Sequence, residues 1–157
     1  MFLGFAVIGL TILTDQLSKY WIYTHLTAGQ PIMFGDYFNL VKVWNTGVSF
    51  SMFSNYGHLG AIVLSVAALA VCAFLLRWMF KETDKIKIIS LGMIIGGAIG
   101  NVIDRVRYEA VLDFLDFHYA QYHWPAFNVA DTCICIGAMI LIYLEIINGQ
   151  KKGLTTK

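Results

Sequence analysis

The sequence predicts an all-α membrane protein of four transmembrane helices, with a small extracytoplasmic β-sheet and an interfacial helix or lid. Three observations predict it. Of 157 residues, 58% are hydrophobic and 13% charged, about half the charge of an ordinary soluble chain. The apolar residues come in long runs, four of them near the roughly 20 residues that cross a hydrocarbon core. The connections between runs 1–2 and 3–4 are too aromatic and too patterned to be plain linkers.

The first run, 2–23, is apolar but interrupted by Asp15, Gln16 and Lys19. It lacks a basic start and a small-x-small cleavage site, so it reads as a retained helix and not a removed signal peptide. In the connection that follows, residues 37–52 are rich in strand formers. There Val48, Phe50 and Met52 alternate with Ser49 and Ser51, and Asn45-Thr46-Gly47 supplies a turn. The second run, 57–78, is uninterrupted from Leu59 to Leu76. The third, 87–103, is short and carries Gly92, Gly96 and Gly100 at four-residue spacing, a stripe that lets a neighbouring helix come close. Residues 111–124 are aromatic and amphipathic, which suits an interfacial helix or lid. The fourth run, 127–147, holds Asp131 in its first turns. The length is that of one domain, 1–157.

Charge sets the expected orientation. Arg77, Lys81, Lys85, Lys87, Lys151, Lys152 and Lys157 fall on one side, against Lys42, Arg105 and Arg107 on the other. Lys and Arg favour the cytoplasmic side of short loops, so both termini are expected there. Trp21 and Trp124 would anchor the outer level, Trp78 and Tyr143 the inner one.

Several classes fall away. A net charge of +1 leaves no basic footprint for nucleic acid. Cys72, Cys133 and Cys135 lie in apolar runs and read as small hydrophobes, not as a disulfide or metal set. His25, His58, His118 and His123 are scattered without zinc-protease spacing. No Gly-x-Ser-x-Gly elbow occurs, and no metal or cofactor is expected.

The costly residues are Asp15, Asn45, Asn101, Asp113, Asn128 and Asp131, inside or at the rims of the apolar runs. A charge at the bilayer centre costs about 2.5–3.5 kcal/mol on insertion scales, so such groups mark functional sites. Asp15 and Lys19 stand four apart and can pair, Lys19 snorkelling outward. Asn101 and Arg105 share a helical face, and Asp104 can pair with Arg105 or Arg107. Glu145 reads as solvated. Asp113 and Asp131 fall at a similar outward depth, with Asn128 on Asp131's face. Within hydrogen-bond reach the two would share a proton, as in an aspartic protease dyad. From spacing alone, a structural hydrogen-bonded pair and an ion-pathway site stay open.

Five ordered stretches resemble one family. They are Asp15-Gln16-Leu17-Ser18-Lys19, Asn45-Thr46-Gly47-Val48-Ser49-Phe50, the run from Gly96 to Arg105, Val111-Leu112-Asp113-Phe114, and the run from Pro125 to Asp131. In order and spacing they are similar to prolipoprotein signal peptidase (signal peptidase II), an aspartic peptidase family of the bacterial inner membrane. Val48-Ser49 and Thr132 depart slightly from its usual residues.

The resemblance implies Asp113 and Asp131 as the catalytic pair, with Asp15, Asn45, Asn101, Arg105 and Asn128 shaping the site or binding substrate. It implies diacylglyceryl-modified prolipoproteins as substrates, cut just before the lipidated cysteine, with the active site toward the outer face. Membrane lipids are expected as further partners, and a monomer as the working unit. The competing reading is a small proton-coupled transporter relaying protons through Asp15 and Asp131. A non-catalytic membrane assembly factor is a third.

Overall fold

Each of the four apolar runs forms one long helix, and the connections between them supply a single sheet. The computed structural model describes residues 1–47 and 57–155. Its helices are α1 (Phe2–His25), α2 (Gly57–Lys81), α3 (Lys85–Tyr108) and α4 (Val129–Thr155). All four are long and apolar enough to cross a membrane. Observed α3 extends past the expected 87–103 at both ends. Asp84 caps its start by accepting from the Ile86 and Lys87 amides, and Glu109 ends it in the left-handed region at φ 57°.

Helix α3 is the hub. More than half of its apolar window is buried, against less than a third for each of the others. It packs against α1, α2 and α4, and its inner face joins Met79, Leu91, Ile95 and Leu141 in the main apolar cluster. The outer faces of α1, α2 and α4 expose Leu10, Leu13, Val66, Phe74, Met139 and Ile142. So much contiguous apolar surface suits lipid rather than water as the solvent.

Glycine makes the close helix contacts. A methyl at Gly97 would lie 2.5 Å from the Ala130 carbonyl oxygen and 2.9 Å from Ile134 Cγ1. Gly97→Ala must therefore push α4 away from α3, at a cost of about 1–3 kcal/mol. Thermal unfolding in detergent should show a lower melting temperature, and an unchanged one would mean that α4 yields freely. Gly92, Gly96 and Gly100 face α1 in the same way.

The sheet is antiparallel in the order β1-β2-β3-β4, formed by β1 (Ile32–Met33), β2 (Phe38–Asn45), β3 (Val111–Tyr119) and β4 (Tyr122–His123). The strand expected over 37–52 is β2 as far as Asn45. The Gly47 amide donates to Asn45 Oδ1 at 3.0 Å, so the expected turn begins as an Asx turn. The alternating stretch Val48–Met52 lies outside the described residues.

Residues 111–124 correct the expectation. They form strands β3 and β4, where an interfacial helix is one of the two expectations. Four consecutive residues, Val111–Phe114, are buried. One face packs Leu112 and Phe114 onto Ile22 and Leu26, while the other turns Asp113 toward the helices. A strand covered on both faces loses its alternation and cannot be told from a helix by pattern.

Three smaller expectations also change. Lys19 points inward and is buried, not snorkelling. Asp104 pairs with Lys19 and not with an arginine, and Glu145 pairs with Lys87 across α3 and α4. All three thiols are free, with Cys72 buried and Cys135 exposed.

Candidate active site

Polar residues from all five motif stretches meet where the second half of α1, the end of α3, the start of α4 and strands β2 and β3 come together. A short zipper brings β3 to α4. The Phe114 and Leu115 amides donate to the Phe127 carbonyl at 3.0 and 2.8 Å, and the Phe127 amide donates to Leu115 O at 3.1 Å. That pairing sets Asp113, two residues before Leu115, beside Asn128, one residue after Phe127.

Asn128 then serves both carboxylates. Its Nδ2 donates to Asp113 Oδ1 at 2.7 Å, and its backbone amide donates to Asp131 Oδ2 at 3.2 Å. In return its Oδ1 accepts from the Asp131 amide at 2.9 Å. This reciprocal pair is a capping box at the N-terminus of α4, with Asp131 as its acidic member in the first turn.

The remaining carboxylate oxygens are also held. Asn45 Nδ2 donates to Asp113 Oδ2 at 3.0 Å, and Asn101 Nδ2 donates to Asp131 Oδ1 at 2.8 Å. Every carboxylate oxygen of the pair thus accepts an N–H. A bulge in β2 puts Asn45 there. Leu40 faces Leu115, yet Val43 faces Asp113, so one extra residue enters β2 between them. Without it, Lys42 and Trp44 would occupy the face of Asp113, because a one-residue slip exchanges the two faces.

Asp113 is almost wholly buried. Burial pushes its pKa up to about 6, helped by the neighbouring charge of Asp131; the Asn45 and Asn128 hydrogen bonds and Lys19 pull the other way. Arg105 is half-buried within the field of Asp131, Asp113 and Asp104.

Below the pair, Lys19 bonds Asp15 at 2.9 Å, Asp104 at 3.0 Å and Asn101 Oδ1 at 3.0 Å. Gln16 Nε2 donates to Asp104 Oδ1 at 3.0 Å and Asp15 Oδ2 at 3.2 Å. The structure therefore brings Asp15, Asn45, Asn101, Asp113, Asn128 and Asp131 into one network, with Arg105 at its edge. Sequence reasoning missed Gln16, Lys19 and Asp104 as members. Their signal was present: Gln16 and Lys19 lie inside one apolar run and Asp104 at the rim of another, where polar side chains stay only when partnered.

Four bilayer-length helices, with an amide-held carboxylate pair contributed by strand β3 and helix α4, make this a multi-pass membrane protein with an enzyme-like polar centre. Two solved structures described as bacterial membrane enzymes share the fold. Their TM-scores are 0.85 and 0.78 at 24% identity, over 95% and 90% of this chain and 90% of each of theirs.

The family model described as signal peptidase (SPase) II matches residues 7–147. A lipoprotein signal peptidase of Paraburkholderia phymatum is 44% identical over 147 residues, 92% of this chain and 86% of that protein. One of Pseudoalteromonas atlantica is 42% identical over 144 residues, 90% and 86% of the two. Another, of Coxiella burnetii, is 38% identical over 145 residues, 91% and 89%. The chain belongs to the signal peptidase II family.

Proposed function

We propose that this chain is an aspartic endopeptidase that removes signal peptides from diacylglyceryl-modified prolipoproteins, with Asp113 and Asp131 as its catalytic pair. The observation that carries this is the sharing of Asn128, which donates to one carboxylate from its side chain and to the other from its backbone. Two carboxylates held by one residue, with the charge of Asp131 raising the pKa of Asp113, titrate as a coupled pair.

When the pair holds one proton, the ionised carboxylate takes a proton from water as its oxygen attacks the scissile carbonyl carbon. The protonated partner donates its proton to the carbonyl oxygen. As the C–N bond breaks, the first carboxylate passes the proton it took from water to the cysteine nitrogen, and a hydroxyl proton returns to the partner as the carbonyl re-forms. Asn45, Asn101 and Asn128 hold the carboxylates; Arg105 and Asp15 shape the surroundings. The signal-peptide helix and the lipid chains are apolar and enter from the bilayer, and the sheet cradles the segment around the cut. The site faces outward from the bacterial inner membrane, both termini are cytoplasmic, and a monomer suffices.

The test is cleavage by the purified protein in lipid or detergent, using the diacylglyceryl-modified precursor and the same precursor without lipid. Cleavage before the lipidated cysteine, insensitive to chelator and dependent on the lipid, is expected. A chelator-abolished reaction would overturn the aspartic mechanism.

The raised pKa of Asp113 has a sign that can be checked. The shared proton is lost as pH rises through about 6, so kcat/KM falls about tenfold per pH unit above it. Asn45→Ala removes a hydrogen bond that favours the ionised form. Asp113 then holds its proton more tightly, and the alkaline limb moves to higher pH. A limb that stays in place or moves down would contradict this reading of Asn45.

A further inference from the structure

A buried brace underlies the pair. The Asp131 backbone is preceded by Ala130, whose amide donates to Asp15 Oδ1 at 2.9 Å. Asp113 is preceded by Leu112, whose amide donates to Asp104 Oδ2 at 3.1 Å. The residue before each carboxylate is thus tied to a carboxylate below it. One ammonium joins those two, Lys19 to Asp15 at 2.9 Å and to Asp104 at 3.0 Å.

The third N–H of Lys19 goes to Asn101 Oδ1. That bond leaves the Asn101 amide group to donate to Asp131. All three ammonium donors are therefore used. Lys19 is 4% exposed, Asp15 0% and Asp104 2%, so water does not compete for any of these bonds.

We infer that Lys19, Asp15 and Asp104 are positioning residues that set the separation and orientation of Asp113 and Asp131 through the backbone of Leu112 and Ala130. This rests on the reading of Asp113 and Asp131 as the catalytic pair. Strand β3 and helix α4 already meet at the Phe127 zipper and at Asn128; Lys19 and Asp15 of α1, with Asp104 of α3, add a second, buried link between them. A purely structural ion triad would govern only how much protein folds. A positioning triad governs the rate of each folded molecule, because a misplacement of about 1 Å can cost roughly 10²-fold.

The test measures kcat and KM per folded molecule on the lipid-modified precursor. Asp104→Leu, which removes the acceptor for the Leu112 amide, is expected to lower kcat about 10²-fold with KM within about twofold. Asp104→Asn keeps an acceptor and should recover to within about tenfold of wild type. Gly100→Ala probes the same brace with every donor and charge intact, since its methyl would lie 2.6 Å from Asp15 Oδ2. It should lower kcat and leave KM in place.

If Asp104→Leu does not fold, Asp104→Asn and Gly100→Ala decide. Wild-type kcat per folded molecule in both would overturn the inference. Asp113→Asn and Asp131→Asn run alongside. Should either cleave at the wild-type rate, the catalytic pair itself is wrong, which is a separate failure from a dispensable brace.

Discussion

Asp113→Asn and Asp131→Asn should each lower cleavage of the lipid-modified precursor by roughly 10⁴-fold. Asparagine keeps the size of the side chain and one acceptor oxygen, but it can neither take a proton from water nor give one to the carbonyl. The environment makes the swap informative. Asp113 accepts from Asn128 on one oxygen and from Asn45 on the other. An amide there must turn its own donor toward one of these donors, losing a hydrogen bond at about 1–3 kcal/mol. Thermal unfolding therefore accompanies the rate measurement, and the loss counts only in molecules that remain folded. Cleavage surviving either substitution would sink the dyad. A proton-coupled transporter predicts a different pattern, in which neutralising Asp15 stops ion flux. Its carboxylates would be strung along the bundle, whereas here they gather at the end where β3 meets α4.

Lys19→Met should lower stability by about 3–5 kcal/mol. Methionine fills nearly the same volume but leaves Asp15 and Asp104, both almost fully buried, facing each other without a cation. Breaking a buried ion group by removing one partner costs more than the group itself contributed, because the remaining charges stay desolvated. Combining Lys19→Met with Asp15→Asn and Asp104→Asn removes the unpaired charges and keeps an acceptor at each backbone amide. That triple variant should melt closer to wild type than Lys19→Met alone. Equal melting temperatures for Lys19→Met and wild type would mean that water reaches the cluster after all.

Much of this was legible from residues alone because the bilayer enforces simple rules. An apolar run near 20 residues must be a helix, since unpaired backbone polar groups cannot face lipid. Each of the four runs reads that way, and each is a helix. Polar side chains inside such runs are too costly to be incidental, so Asp15, Asn101 and Asp131 stood out before any geometry was known. Asn128 was placed beside Asp131 by helical spacing, and the two cap the helix together.

Other features depended on contacts between distant segments. The apolar run after α3 has no alternation because both faces of β3 are covered, one by α1 and one by the site, so its strand character came only from pairing with β2. A single extra residue in β2 decided that Asn45, and not Trp44, shares the face of Asp113. Lys19 could have reached outward to water by its own flexible stem; Asp104, from 85 residues further along the chain, turned it inward. The sequence by itself determined four membrane-length helices, the polar residues that lipid could not tolerate unpartnered, and the family to which their order belongs. Only the tertiary structure decided which of those residues meet, because strand register and buried charge pairing are set by neighbours that lie far apart in the chain.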